Sequence, residues 1–277
     1  MKKRIDVTLA GLTLPCALQY PEAAVFPAPD PTAPRAEIDP VCLSPEDWAY
    51  YTARGFAASP QAEYSLLTAA FSDALMDFDR LIIHGVALCW RDRAWLICAP
   101  SGVGKSTQAR WLQTLRPGEF AVISGDRPIL EFLPALPNCH SERSEESVPP
   151  RHSERSEESV PPSHSAAAAI GSQPPAPILV HPSPWNGKED WYGAEAAPLA
   201  GIILLQRGEE NRLEALKPRK AAVSVYTQLI QTAAREKKIR QAAELTNRLL
   251  RTVPVWRLTS RQPPASTQLL LDQVFIT

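Results

Sequence analysis

The sequence predicts an α/β fold, a mixed sheet with flanking helices in which a hairpin enters a glycine-containing loop. Three observations predict it. The apolar residues 94–98 run into Ala99-Pro100-Ser101-Gly102-Val103-Gly104-Lys105-Ser106-Thr107 and then into good helix formers, so strand, loop and helix follow one another. A second apolar run, residues 81–89, lies just upstream and is separated from the first by Arg91-Asp92-Arg93, the pattern of a hairpin. Further short apolar runs at 120–124, 178–181, 198–206 and 213–216 are interspersed with segments of helical period.

At 277 residues, 44% of them hydrophobic, the chain can bury a substantial core. The formal charge of −1 gives no global field for nucleic acid or an acidic lipid surface, so neither is expected as a partner. Five cysteines, odd in number and scattered, argue against a disulfide framework or a zinc site and for a reducing, cytoplasmic setting. No apolar run approaches the roughly 18 residues of a membrane span, and Met1-Lys2-Lys3-Arg4 leads into a strand pattern, not a signal peptide.

Taken in order, residues 1–79 read as an N-terminal part and 80–277 as the main domain. Residues 5–14 predict two short strands, and residues 20–40, with six prolines, an extended crossing. Tyr64, Leu66, Leu67, Ala70, Phe71, Leu75 and Met76 recur at helical spacing and predict a helix over 59–78. Residues 81–89 and 94–98 form the hairpin. The helix after the loop ends at Arg116-Pro117-Gly118. Residues 120–124 form a strand ending at Gly125-Asp126-Arg127. Within 139–175 a twelve-residue unit, His140 to Arg151, recurs from His152 and begins a third time at His164. With one aliphatic side chain per unit besides its prolines it cannot offset chain ordering, so it reads as a disordered insertion in a surface loop. The fold resumes with a strand at 178–181, a Pro/Asn/Gly loop carrying Trp185, Lys188 and Trp191, and a buried-type strand at 198–206. A strand at 213–216, one or two helices over 219–251, an edge strand at 253–258 and a closing helix or strand over 268–275 complete it.

The chemistry concentrates in residues 99–107. Gly-Lys-Ser after a strand and before a helix is the arrangement of a phosphate-binding P-loop, although Ala99 stands where the usual pattern has glycine. Glycines let consecutive N–H groups turn inward, and the helix start adds its positive dipole end. Ala99, Pro100, Ser101, Gly102, Val103, Gly104, Lys105, Ser106 and Thr107 are thus candidate nucleotide-binding residues, with Lys105 on the β and γ phosphates and Ser106 on Mg²⁺. Asp126, at the carboxyl end of a neighbouring strand, is placed to hold Mg²⁺ or to take a proton from an attacking hydroxyl, or else belongs to a Gly-Asp-Arg-Pro turn. Lys188 either faces phosphate, with Trp185 against the base, or is solvated; Arg207, just past a buried strand, either binds the ligand or lies on the surface.

His84-Gly85 before the hairpin, the hairpin leading into Ser101-Gly102-Val103-Gly104-Lys105-Ser106, and Gly125-Asp126-Arg127 resemble the catalytic core of HPr kinase/phosphorylase, which shares its P-loop fold with phosphoenolpyruvate carboxykinase. Ser183-Pro184-Trp185-Asn186-Gly187-Lys188, Ala197-Pro198-Leu199 and Leu205-Gln206-Arg207-Gly208 resemble a set of short HPr-kinase-like bacterial proteins. The resemblance spans residues 60–260 apart from the insertion. It implies ATP and Mg²⁺ as cofactors, catalytic roles for Lys105 and Asp126, metal contacts from Ser106 and Asp126, and His84 as a polar group beside the phosphates. The residues alone leave His84 equally open to packing in the core. It also implies a protein or peptide acceptor, through a serine hydroxyl, and assembly into a homo-oligomer. HPr kinases carry two aspartates where this chain has Gly125-Asp126, and the first of them is usually given the proton-transfer role. Their separate N-terminal domain and C-terminal docking elements have no match here, which turns the expectation away from HPr itself. The reading is an ATP-dependent kinase acting on a hydroxyl. Alternatives are an ATP-binding regulator or assembly factor without phosphotransfer, and a small-molecule kinase or carboxykinase.

Overall fold

The computed structural model describes residues 2–23, 25–134, 177–193, 195–231 and 236–275. Strands β1 (Lys3–Leu9) and β2 (Leu12–Leu18) pair antiparallel across Ala10-Gly11, whose φ of 47° and 69° suits a two-residue hairpin turn. The Pro-rich crossing lies beside β2 and touches it through isolated bridges at Arg35 and Val41. Helix α1 (Pro45–Thr52) was not foreseen, yet its start is written in the sequence: Ser44 and Asp47 form a reciprocal capping box. Helix α2 (Pro60–Met76) begins at the Ser59 cap, and its buried Leu67, Phe71 and Leu75 share a core with Leu14, Leu18, Ile82, Ile129 and Trp185.

The remaining elements are β3 (Arg80–Ile82), β4 (Gly85–Trp90), β5 (Arg93–Cys98), α3 (Lys105–Leu115), β6 (Phe120–Ser124), β7 (Ile129–Phe132), β8 (Ile178–His181), β9 (Ala197–Arg207), β10 (Arg212–Leu216), α4 (Pro218–Tyr226), α5 (Glu236–Thr252), β11 (Val255–Ser260) and α6 (Pro263–Leu270). They build a mixed nine-stranded sheet flanked by helices. One part runs β6-β4-β5-β9-β11-β10; β8, β7 and β3 join it through the start of β9. Because β5, β9 and β11 are mutually parallel and β4 is antiparallel to both β5 and β6, the strands β5, β6, β9 and β11 all end at one edge of the sheet. β4 begins there. That single fact of topology positions the candidate site.

Residues 81–89, read from sequence as one strand, are two. The chain breaks at Ile83-His84, where Ile83 bridges Leu229 and the His84 amide donates to the Gln228 carbonyl at 2.7 Å. β11 likewise corrects the edge-strand expectation, since it lies between β9 and β10. The β4–β5 turn needs only Arg91-Asp92, both left-handed at φ 48° and 57°.

Both faces of β5 and β9 are covered, which is why they read as unbroken apolar runs. Successive residues alternate between cores: Leu96 and Ile202 pack toward Ala221, Val225 and Leu249 of α4 and α5, whereas Ile97 and Ile203 pack with Ala109, Leu112 and Leu270 of α3 and α6. Each such buried Leu or Ile contributes about 1.5–3 kcal/mol relative to exposure.

The repeats fall at residues 135–176, outside the described residues. Their flanks are adjacent: β7 and β8 pair antiparallel with Phe132 opposite Ile178, and the Leu133 amide donates to the Pro177 carbonyl at 3.2 Å. Among the described residues no helix is long and apolar enough to cross a membrane.

Candidate functional site

The loop after β5 is shaped by its glycines. Gly102 and Gly104 take φ of 79° and 120°, a backbone that other residues rarely adopt, and so let the chain turn sharply before α3. Gly104 is the helix N-cap and offers no side-chain acceptor, which leaves the first amides of α3 for a ligand or solvent. Ala99 is buried, Pro100, Ser101, Gly102 and Thr107 are exposed, and Val103, Gly104 and Ser106 are half-buried. Lys105 is only 8% exposed. Its ammonium folds back over the loop and donates to the Ala99 carbonyl at 3.0 Å.

His84 and Asp126 meet that ammonium because β4 starts, and β6 ends, at the edge where the loop lies. Lys105 Nζ is 3.1 Å from His84 Nε2, which is 3.3 Å from Asp126 Oδ1. One ring nitrogen therefore faces a cation and a carboxylate together, and it can accept from the first or donate to the second, not both. Burial pulls the Lys105 pKa below the ordinary lysine value, opposed by the Asp126 charge. Burial also works against the Asp126 carboxylate, but the His84 hydrogen bond and the charges of Arg127, His84 and Lys105 outweigh it and hold its pKa below the ordinary value. Asp126 is thus ionised at neutral pH.

Arg127, which sequence reading left as part of a turn, steadies this acid. Its Nε lies 3.3 Å from Asp126 Oδ2, and its Nη1 donates to Thr68 Oγ1 at 2.6 Å, tying Asp126 to α2. Residues 182–193 close the same corner from above. The Gly125 amide donates to the Trp191 carbonyl at 3.1 Å, and the Gly193 amide to the Ile123 carbonyl at 3.0 Å. A Cβ at Gly125 would sit 2.7 Å from the Asn186 carbonyl oxygen and 2.9 Å from Trp191 Cβ. The glycine is there because the loop leaves no room for a side chain. Ser124 Oγ and Asn186 Oδ1, both buried, have no hydrogen-bond partner among the described residues. Such groups are uncommon in folded proteins.

One expectation for the 182–193 loop, Trp185 against the base, turns out differently. Trp185 does not face the ligand: it is 3% exposed, packs edge-on against Phe26 and donates its Nε1 proton to the Tyr64 carbonyl at 3.0 Å. Long-range aromatic packing claims it. Lys188 is exposed in the short 3-10 turn Gly187–Glu189, whose Gly187 rests against the Asp126 side chain. The turn is held to α3 by an ion pair between Arg110 and Glu189.

Across β5 the surroundings are different. Arg207 ends β9 as expected, but its guanidinium donates to the Gly102 carbonyl at 2.7 Å and the Val103 carbonyl at 3.4 Å, so it props the loop. Behind it runs a buried neutral network missed in the sequence: Gln108 of α3 donates to Thr267 Oγ1 at 2.8 Å, and Ser266 Oγ lies 2.8 Å from Ser260 Oγ. Away from the site, Lys238 of α5 is buried and pairs with Asp77 at 2.8 Å. A hollow of about 880 Å³ at the N-terminal hairpin and residues 35–40 shares no residue with this site.

No family model matches the chain, and comparison with curated proteins finds no match.

Proposed function

We propose that the chain is an ATP-dependent kinase of the HPr-kinase-like P-loop type, transferring the γ phosphate to a hydroxyl, with a serine of a protein or peptide as acceptor. The observation that carries this is the convergence of Lys105, His84 and Asp126 at the end of the glycine loop, within 3.1 and 3.3 Å of one another. Loop amides and Lys105 would cradle the phosphates, the ammonium leaving the Ala99 carbonyl to do so. Asp126, ionised and fixed by His84 and Arg127, would accept the proton of the attacking hydroxyl. Ser106 and Asp126 would hold Mg²⁺ together with phosphate oxygens. This all-oxygen donor pair fits a hard cation that is bound through one or two carboxylates together with phosphate oxygens. When bound, that ion supplies neutralisation of phosphate charge.

A second reading, an ATP-binding protein without transfer, is favoured by one observation: the backbone at Gly125 is too crowded for the additional aspartate of the resembled kinases. ADP release with candidate acceptors decides. Asp126→Asn should lower turnover by about 10²–10⁴-fold, the usual worth of a general base. Unchanged turnover removes the base role, and ATP binding without ADP release from any acceptor supports the second reading.

A further inference from the structure

Resting on the nucleotide reading above, we propose that Arg207 is a positioning residue for phosphate binding. It grips the outer side of the glycine loop, aims the amides of Val103 and Gly104 into the cradle, and touches no part of the ligand. The sheet puts it there. Cys98, where β5 ends, pairs with Leu204, so β9 runs on past β5 and its last residue stands beside the loop. Ser260 of β11 pairs with Arg207, and the Gly208 amide donates to the Ser260 carbonyl at 3.3 Å. The backbone from which the side chain reaches is thus itself held.

Two donors on one edge of the planar fork take two successive carbonyls, Nη2 that of Gly102 at 2.7 Å and Nε that of Val103 at 3.4 Å. In a trans peptide unit the C=O and the following N–H point opposite ways. Holding the Gly102 oxygen on the β9 side therefore turns the Val103 N–H to the other side of the loop, and holding the Val103 oxygen does the same for the Gly104 N–H. Neither amide is firmly occupied. That of Gly104 has no acceptor among the described residues, and that of Val103 has the Pro100 carbonyl at a long 3.4 Å. Successive amides turned to one side make an anion-binding nest. Gly102 and Gly104, at φ of 79° and 120°, are the residues with the most other conformations open to them. The nest therefore needs a restraint from outside the loop, and the fork supplies it. A cation on the carbonyl end of a peptide unit also polarises it and strengthens the N–H at the other end. The charge of Arg207 thus reaches the phosphates through the backbone. The ligand class is a polyphosphate tail, free or attached to a nucleoside, because nothing in this brace reaches beyond the loop.

Calorimetry with Mg²⁺-tripolyphosphate and Mg²⁺-ATP, beside amide NMR of the ligand-free full chain, tests this. Arg207→Lys keeps the charge and loses the fork. It should weaken both ligands about five- to thirtyfold, nearly as much as Arg207→Met, the worth of one or two hydrogen bonds. The Gly104 amide signal should move in both variants before any ligand is added. The Tm of Arg207→Lys should stay within about 2 °C of wild type, since a loop can loosen without the fold opening. If Arg207→Lys binds both ligands as wild type does while Arg207→Met loses affinity, Arg207 meets the phosphates as a charge, and the inference is overturned. An unmoved Gly104 signal, a loss for ATP alone, no loss in either variant, or a larger fall in Tm also overturns it, and each leaves the glycine-loop reading intact. If the wild type binds neither ligand, the nucleotide reading itself fails and this inference with it.

Discussion

The two flanks of β5 meet the same loop with opposite chemistries. Toward β4 and β6 the side chains are charged and linked in series, Lys105 to His84 to Asp126 to Arg127, with Ser124 Oγ and Asn186 Oδ1 left unpartnered. Toward β9 and β11 they are neutral hydroxyls and an amide that satisfy one another, with Arg207 turned onto the loop backbone. The difference teaches where change can occur. An incompletely satisfied charged network is poised to respond to a new charge, whereas a fully satisfied neutral one is a scaffold that holds shape.

The strongest way to break this contrast is at its border. Lys105→Met should lower affinity for Mg²⁺-ATP by at least about 100-fold in calorimetry, about 2.7 kcal/mol. Its effect on the ligand-free fold has the other sign. The Lys105 pKa is lowered on folding, so the ammonium is less stable folded than unfolded and weakens the fold at every pH where it stays charged. The Met variant should therefore melt no lower than wild type at pH 7. A marked drop would mean that the ammonium's partners more than offset its burial.

Gly125→Asp sharpens the charged flank. It restores the aspartate pair of the resembled kinases in sequence, yet its Cβ meets the Asn186 carbonyl and Trp191. Scanning calorimetry should show a Tm lower by about 4–8 °C, for about 2 kcal/mol of overpacking. A full-strength Tm would show that residues 186–191 give way easily. The smallest effect is expected on the neutral flank. Gln108→Leu removes a buried amide whose partners keep other bonds, Thr267 and Ser266 both donating to the Pro263 carbonyl. Its Tm should fall by about 2–4 °C, near 1 kcal/mol, with tripolyphosphate affinity unchanged. If phosphate binding fell as well, the two flanks would not be separable.

Much of the charged flank was legible in the sequence, because its signals are local: a glycine loop between apolar strand and helix, and an acid at the end of the next strand. The break at Ile83-His84 was not. Residues 81–89 are uniformly apolar around it, and the partners that force it, Pro128, Gln228 and Leu229, are distant in sequence. Trp185 was misread for the same reason, since only the fold brings Phe26, Tyr64 and Phe71 around it. Arg207 was placed correctly at a strand end, but nothing in its neighbours announced that it would hold backbone carbonyls. Helix α1 is the contrasting case: Ser44 and Asp47 carried a usable signal that the surrounding prolines obscured.

One connection sets a limit on how the chain can change over time. β7 leaves the edge that carries the candidate site at Ile129 and β8 returns to it at His181, opposite one another, while Phe132 and Ile178 meet at the far end. Sequence added between them is spliced in where two neighbouring strands already close the gap, a full strand length from Asp126. Loop-closure cost grows only slowly with length. The sheet thus has a port through which a lineage can accumulate foreign or duplicated text without editing the corner around Asp126, and through which a reporter can be threaded for the same reason.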